Sequence, residues 1–231
     1  MKTLRILSGG AAEGLVEALR PAFETMTGCM IDGVFGAVGA MKARLLSGEP
    51  ADLVILSRAL IDDLALVGHV VAASARDIGA VPTAIAVRRG DVLPTVGSPH
   101  ELREILRVAD EIHLPDPALA TAGIHFAKVL RELGIWDEVA GRLKPAPNGT
   151  AAMRALAAST RHHPIGCTQA TEILSTPGIV LVAPLPPGCE LATTYCCAVA
   201  AHAANPESAA ELIALLAGDS QRHTRRRLGF D

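Results

Sequence analysis

The chain alternates short, continuous runs of hydrophobic residues with longer stretches in which hydrophobic residues recur every three or four positions. Residues 4–7 form the first hydrophobic stretch, interrupted only by Arg5, and Leu15, Leu19 and Phe23 then recur at helical spacing. The run at residues 53–56 is uninterrupted, as expected of a parallel strand that is covered on both faces. Because this alternation continues through most of the chain, it predicts an α/β fold with mixed, mainly parallel sheets.

Two long extended stretches, residues 78–89 and 193–201, interrupt this alternation. We interpret them as paired crossings between two Rossmann-like lobes with a ligand cleft between them. Pro82 has no N–H group to give to a central ladder, so we expect the first of these strands to be broken there. The predicted lobes are 1–82 plus 196–231, and 83–195.

Five turns of small residues, each between a predicted strand and a predicted helix, are the main candidates for chemistry. The free N–H groups of a first helical turn point outward and favour an anion, and glycine lets the backbone approach it closely. Any one such turn serves packing in most proteins, but five at corresponding places in two lobes predict one shared pocket. The candidate ligand-binding residues are Ser8, Gly9, Gly10, Ala11, Val38, Gly39, Thr121, Ala122, Gly149, Thr150, Thr168 and Gln169.

Composition excludes several other classes of protein. The 231 residues carry a formal net charge of −3 without a basic patch, so we expect no nucleic-acid partner. No hydrophobic run approaches the ~20 residues of a membrane span, so we expect no direct membrane insertion. No export signal is visible at Met1. We expect a cytoplasmic protein as the sequence is written, and a periplasmic one if an export signal was removed.

Cysteines and histidines give no metal-site pattern. The five cysteines are odd in number and lack zinc spacing, so we interpret them as buried small hydrophobic residues. His162 and His163 have no third ligand at useful spacing and should be exposed. We expect a satisfied or solvent-facing side chain at His125, and a solvated charge at Arg58. The sequence therefore predicts no metal and no cofactor.

Several longer pieces of sequence, taken in order, carry a resemblance to a known family. They are residues 48–55 (GEPADLVI), Asp116-Pro117 with Ala122-Gly123-Ile124, residues 133–137 (LGIWD) and residues 228–230 (LGF). Over about 220 residues, the chain resembles the molybdate-binding proteins of ATP-driven importers, within the type II periplasmic binding proteins. The resemblance implies two α/β lobes around a cleft, in which backbone N–H groups and hydroxyls of serines and one tyrosine hold an oxyanion.

The chain departs from the pattern of the family that it resembles at the positions that carry hydroxyl groups. The family's hydroxyl-bearing positions fall on Gly10, on or beside Gly39, and on Ala122, Gly149 and Gln169, the last at the tyrosine position. Backbone N–H donors survive these changes, but the hydroxyls do not. Because a desolvated dianion needs every donor, the sequence disfavours molybdate and leaves a small carboxylate as an alternative ligand.

Three functions remain open at this stage. The first is a binding protein for a small anion, with a membrane transporter as partner if the protein is exported. The alternative is a cytoplasmic isomerase of a small unsaturated polycarboxylate, similar to aconitate isomerase. Its general base would come from Glu13, His125 or Glu172, although no paired-carboxylate or Cys–His pattern is present. The third is a ligand sensor that acts with a separate regulatory chain.

Overall fold

The computed structural model describes residues 2–231. The strands are β1 (Lys2–Gly9), β2 (Cys29–Gly36), β3 (Leu53–Ser57), β4 (Arg76–Arg88), β5 (Glu111–Pro115), β6 (Leu143–Ala146), β7 (Pro164–Gln169), β8 (Ile179–Pro184) and β9 (Ala192–Val199). The helices are α1 (Glu13–Thr27), α2 (Val38–Leu46), α3 (Arg58–Leu66), α4 (Pro99–Val108), α5 (Thr121–Glu132), α6 (Trp136–Val139), α7 (Gly149–Ala158), α8 (Ala170–Leu174), α9 (Pro206–Ala217) and α10 (Arg222–Arg227). The chain divides into two compact units, which are described separately. The first unit is Met1–Val81 with Thr193–Asp231, and the second is Pro82–Ala192.

The first unit is built on strands in the order β2-β1-β3-β9. Strand β1 is parallel to β2 and β3, whereas β9 is antiparallel to β3. Leu4, Leu53 and Ile55 are fully buried in these strands, and Phe23 of α1 is fully buried as well. The continuous hydrophobic run of β3 therefore behaves as predicted, because both faces of that strand are covered.

The second unit has parallel strands at one side of its sheet and antiparallel strands at the other. Strand β5 is parallel to both β6 and β7, and β4 is antiparallel to β7 and β8. Its hydrophobic core includes Leu102, Ile112, Phe126 and Leu130, all without exposed surface. The amphipathic helices α4 and α5 supply three of these side chains, as their helical spacing predicts.

The expected break at Pro82 is wrong, since β4 runs without interruption from Arg76 to Arg88. Pairing between β4 and β7 begins only at Thr83, which lies opposite Gln169. The N–H group of Thr83 donates to the carbonyl oxygen of Leu191 at 2.8 Å. The missing N–H group of Pro82 thus precedes the ladder with β7 and removes none of its hydrogen bonds.

Two expectations about side chains are confirmed. All five cysteines are buried and free, as expected of small hydrophobic residues. His162 and His163 are exposed. In the part of the chain that the structure describes, none of the helices has the length and apolar character needed to cross a bilayer.

A buried imidazole and a partly buried carboxylate lie side by side on β5. The ring Nε2 of His113 is 3.3 Å from Oε2 of Glu111, and the same carboxylate oxygen accepts a hydrogen bond of 2.7 Å from Ser159. Lys144 and Arg161 form longer ion pairs with the other carboxylate oxygen. Burial lowers the pKa of His113, and the hydrogen bond from Ser159 lowers the pKa of Glu111.

These two lowered pKa values predict a loss of stability in acid. In the unfolded chain, His113 takes up a proton as the pH falls below its ordinary pKa of 6.5. In the folded protein its pKa is lower, so protonation at the same pH favours the unfolded chain. The free energy of unfolding should therefore fall as the pH drops below 6.5, and fall again below the ordinary glutamate value of 4.5. Urea unfolding at a series of pH values should show a shallower decline below pH 6.5 for His113→Gln than for wild type. The exposed His100→Gln should follow wild type, and an identical decline in all three proteins would contradict the prediction.

Candidate anion-binding site

The first unit brings six predicted ligand residues to the ends of two neighbouring strands. Ser8 and Gly9 end β1, Gly10 and Ala11 form a 3₁₀ turn with Ala12, and Val38 and Gly39 open α2. We call these six residues the first set. Gly9 lies opposite Gly36 in the parallel pairing of β1 and β2, so both strands end at one edge. Open α/β sheets bind ligands at this carboxyl edge.

Contacts around Gly9 show how closely the first set is packed. A Cβ atom at Gly9 would lie 2.8 Å from Cγ1 of Val38 and 3.1 Å from the ring of Tyr195. Only glycine therefore lets the end of β1 approach the start of α2 this closely. The sequence places the α-helix directly after the glycine pair, but the structure inserts the 3₁₀ turn and begins α1 at Glu13.

Two side chains that carry hydroxyl groups, Ser8 and Tyr195, lie beside this turn. The hydroxyl of Ser8 is fully buried and donates to the carbonyl oxygen of Gly9 at 2.9 Å. Tyr195 is the single tyrosine of the chain, and it packs edge to face against Phe230. Sequence reasoning missed Tyr195, because it lies far from Gly9 along the chain and no turn motif marks it.

The second unit brings the other six predicted residues to the ends of parallel strands. Thr121 and Ala122 open α5, Gly149 and Thr150 open α7, and Thr168 and Gln169 end β7. We call these six residues the second set. Helix α5 follows β5, and α7 follows β6. Because β5 lies between β6 and β7 and is parallel to both, the carboxyl ends of the three strands lie at one edge of the sheet.

Helices α2 and α5 begin without a capping side chain. The residues at their N-cap positions are Ala37 and Ala120, neither of which has a side chain that accepts a hydrogen bond. The first four N–H groups of a helix have no acceptor inside that helix, and together they form its positive end. Helix α7 differs, because the side chain of Asn148 accepts from the N–H group of Ala151 at 2.8 Å.

Glycine at position 123 places α5 directly on the end of β5. A Cβ atom there would overlap with the carbonyl oxygens of Pro115 and Asp116. The residue therefore serves close packing, and it holds Thr121 and Ala122 beside the carboxyl end of β5.

The buried carboxylate of Glu172 lies against two residues of the second set, Gly149 and Thr168. Oγ1 of Thr168 donates to Oε2 of Glu172 at 2.5 Å, and both side chains are buried. A Cβ atom on Gly149 would overlap with the same carboxylate and with the hydroxyl of Thr168. Glu172 thus contacts the first residue of α7, where the positive end of the helix favours a negative charge. In the sequence, Glu172 is only one of three possible general bases.

Two threonine hydroxyls in the second unit are buried without a hydrogen-bond partner. They are those of Thr83, with 1% of its surface exposed, and Thr171, with 4%. Thr83 lies opposite Gln169 in the pairing of β4 and β7, and Thr171 precedes Glu172. An unsatisfied buried polar group costs about 1–3 kcal/mol, which a bound ligand would recover. Thr83 was not among the sequence candidates, and its only signal is a hydroxyl within the otherwise apolar residues 78–87 of β4.

Other candidates from the sequence lie elsewhere or are already paired. Nε2 of His125 is 2.8 Å from the carbonyl oxygen of Cys189, so its ring is satisfied as expected. Arg58 forms an ion pair of 2.6 Å with Asp77. Among residues 2–231, no group of three or more metal-ligating side chains is present.

Comparison of the chain with known proteins identifies its family. The model of the bacterial extracellular solute-binding protein family matches residues 4–231. The chain belongs to that family. An aconitate isomerase from a Pseudomonas species is 29% identical to this solute-binding protein over 224 residues, which cover 93% of this chain and 82% of the relative.

Two solved structures show the same fold as this solute-binding protein. The periplasmic molybdate-binding protein of Azotobacter vinelandii matches with a TM-score of 0.80 and 16% identity, over 99% of this chain and 98% of its own. The sulfate-binding protein SubI of Mycobacterium tuberculosis matches with a TM-score of 0.76 and 19% identity, over 100% of this chain and 86% of its own. The predicted α/β fold of the type II periplasmic binding proteins is confirmed.

Packing around Gly149 predicts the effect of adding one methyl group. Gly149→Ala should lower the free energy of unfolding by about 1–3 kcal/mol, because the new Cβ overlaps with Glu172 and Thr168. Gly141→Ala is a matched control, since a Cβ atom there meets nothing within 4 Å. Urea unfolding should show the loss only for Gly149→Ala. Equal changes in the two variants would contradict the packing described for the second set.

Proposed function

We propose that this solute-binding protein binds a small anion, either an oxyanion or a small carboxylate, through the N-terminal turns of the helices in the two sets. The observation that carries the proposal is the pair of uncapped helix beginnings at Ala37 and Ala120, each next to predicted ligand residues. Their N–H groups supply positive potential without a basic side chain. The unpartnered hydroxyls of Thr83 and Thr171 add two donors in the second unit.

The names of similar proteins support the proposal of an anionic ligand. Two of the solved structures with this fold are named for binding molybdate and sulfate, and the Pseudomonas relative is named for acting on aconitate. All three compounds are small anions with several oxygen atoms. We also propose a membrane transporter as the partner that receives the ligand, as in the solute-binding proteins of importers.

The binding proposal predicts a loss of affinity when a negative charge is added to either set. Gly39→Asp and Thr121→Asp each put a carboxylate in the first turn of an uncapped helix, where it stabilises the helix and repels an anion. At about 4–6 Å, two like charges repel by a few kcal/mol at an effective dielectric constant of about 20, so affinity should fall at least about tenfold. Isothermal titration with molybdate, sulfate, phosphate, citrate and cis-aconitate measures this loss.

A matched control adds the same charge at another helix beginning. His100 is exposed in the first turn of α4, outside both sets. His100→Asp should leave the affinity of every bound anion within about twofold of wild type, because the added charge is screened by water. Equal weakening by all three variants, or no binding of any of these anions to wild type, would contradict the proposed site.

Isomerisation of an unsaturated polycarboxylate is the second candidate function, and the buried carboxylate of Glu172 favours it. In this reaction Glu172 would take a proton from the methylene carbon of cis-aconitate. The electron pair of that C–H bond would shift the double bond by one position, and the proton would return to the far alkene carbon. Uncapped N–H groups would stabilise the negative charge that develops on the neighbouring carboxylate.

An enzyme assay separates this second candidate from simple binding. Wild-type protein incubated with cis-aconitate should form trans-aconitate, as measured by proton NMR. Glu172→Gln should lower the rate at least about a hundredfold, since a positioned general base contributes factors of about 10²–10⁴. Exposed Glu132→Gln at the far end of α5 should keep the wild-type rate. Absence of conversion by wild type, or equal rates in the two variants, would exclude Glu172 as the base.

A further inference from the structure

A cavity of about 540 Å³ lies in the second unit, away from the second set. It is bounded by the end of β4, the beginning of β7, the last turn of α4 and the loop that joins β4 to α4. Pro164, which begins β7, lines the cavity, whereas Gln169 of the second set ends that strand. At about 3.3 Å per residue, these two positions are roughly 16 Å apart. One small ligand therefore cannot occupy both places.

The walls of this cavity are mainly apolar. Val87 and Ile165 contribute from the sheet, Ile105 and Val108 from α4, and Val92 from the loop. Val92 and Val108 leave 91% and 68% of their surfaces exposed, and covering such apolar surface is favourable. The volume is within the range of about 300–1,000 Å³ that is usual for small-molecule sites. The cavity therefore suits a small molecule with an apolar body.

Donor side chains lie at the mouth of the cavity. His162 and His163 line it, and both side chains are exposed, with ring centres 6.5 Å apart. Among residues 2–231, neither ring has a hydrogen-bond partner, so each neutral imidazole keeps an N–H group for a ligand. Arg89 directly precedes Gly90 of the cavity wall. It is exposed, and its guanidinium has no carboxylate partner within the same residues.

Acceptor groups beside the cavity are already in use. Asp91 accepts hydrogen bonds of 2.8 and 3.1 Å from Arg88, and Asp110 accepts one of 3.0 Å from the N–H group of His163. Arg142 donates to two carbonyl oxygens at the end of α4. A cationic ligand would therefore find these acceptors occupied. An anionic head group would meet the unused donors at the mouth.

We infer that this cavity is a second binding site, which takes a small aliphatic monocarboxylate. Its hydrocarbon chain would lie against the valine and isoleucine walls, and its carboxylate would accept from His162, His163 and Arg89. This inference does not depend on the proposed anion binding, because the cavity and the second set lie at opposite ends of β7. A compact oxyanion does not suit the cavity, since apolar walls cannot compensate its charge.

Four probes test the inference on the wild-type protein. They are hexanoate, octanoate, 1-octanol and octylamine, each titrated while the proton–nitrogen NMR spectrum is recorded. Octanoate should bind about tenfold more tightly than hexanoate, because it has two more methylene groups to bury. It should also bind at least about fivefold more tightly than 1-octanol or octylamine, and its largest shifts should fall on residues 90–94 and 162–165. Equal binding of the two carboxylates, tighter binding of octylamine, or no binding of octanoate would overturn the inference.

A charge on the cavity wall tests the location of the site. Val108 is the exposed last residue of α4, and Leu66 is the exposed last residue of α3 in the first unit. Val108→Asp should weaken octanoate binding at least about tenfold, because the new carboxylate repels that of the ligand. Leu66→Asp is the matched control and should stay within about twofold of wild type. Both positions are exposed, so both variants should fold, and equal affinities in the two would overturn the inference.

The head group has its own test. The double variant His162→Ala/His163→Ala removes two donors from the mouth and leaves the apolar walls in place. Its preference for octanoate over 1-octanol should fall to within about twofold, whereas His223→Ala, at an exposed histidine of α10, should keep the wild-type preference. An unchanged preference in the double variant would overturn the assignment of the carboxylate to this mouth.

Thr121→Asp separates this inference from the proposed function. It adds a carboxylate to the second set and should leave octanoate affinity within about twofold of wild type. If Thr121→Asp and Val108→Asp weaken octanoate equally, octanoate binds in the second set, so the inference fails and anion binding stands. If octanoate behaves as expected and none of the oxyanions or polycarboxylates binds, the proposed function fails and this second site stands.

Discussion

The N–H groups at the beginning of a helix need acceptors, and this constraint organises the chemistry of both units. An alanine at the N-cap position provides none, so α2 and α5 each begin with a positive end that no side chain neutralises. Serine, threonine, aspartate and asparagine are the preferred residues at this position, because their side chains accept from these N–H groups. Helix α7 follows that rule through Asn148, whereas the beginnings of α2 and α5 are left for water or a ligand.

Parallel strand pairing brings the helix beginnings of each unit close together. Neighbouring parallel strands run in the same direction, so the residues that follow them emerge at the same edge of the sheet. The ends of β1 and β2 bring Gly9 and Val38 into contact. The ends of β5, β6 and β7 bring the residues of the second set to one edge of the other sheet. Gly9 lets the beginning of α2 pack against the end of β1, and Gly123 lets the beginning of α5 pack against the end of β5.

A buried acceptor lies beside the helix beginnings of the second unit. Glu172 accepts a hydrogen bond from Thr168, one of the predicted ligand residues, and lies against Gly149 at the beginning of α7. The positive end of that helix favours a negative charge at this place. In the proposed isomerisation, the same carboxylate would serve as the general base.

The fold family could be predicted from residues alone, because hydrophobic runs, helical spacing and glycine turns are local patterns within each strand or helix. The sequence also predicted the twelve residues of the two sets, and these remain a prediction about the ligand. The break expected at Pro82 was wrong, since a local rule about proline does not say where a ladder begins. Three contacts could not be predicted in this way: Tyr195 packs on Gly9, Thr83 lies opposite Gln169, and Glu172 fills the space beside Gly149. These contacts join residues far apart along the chain, and no local pattern records which distant side chains strand pairing will bring together.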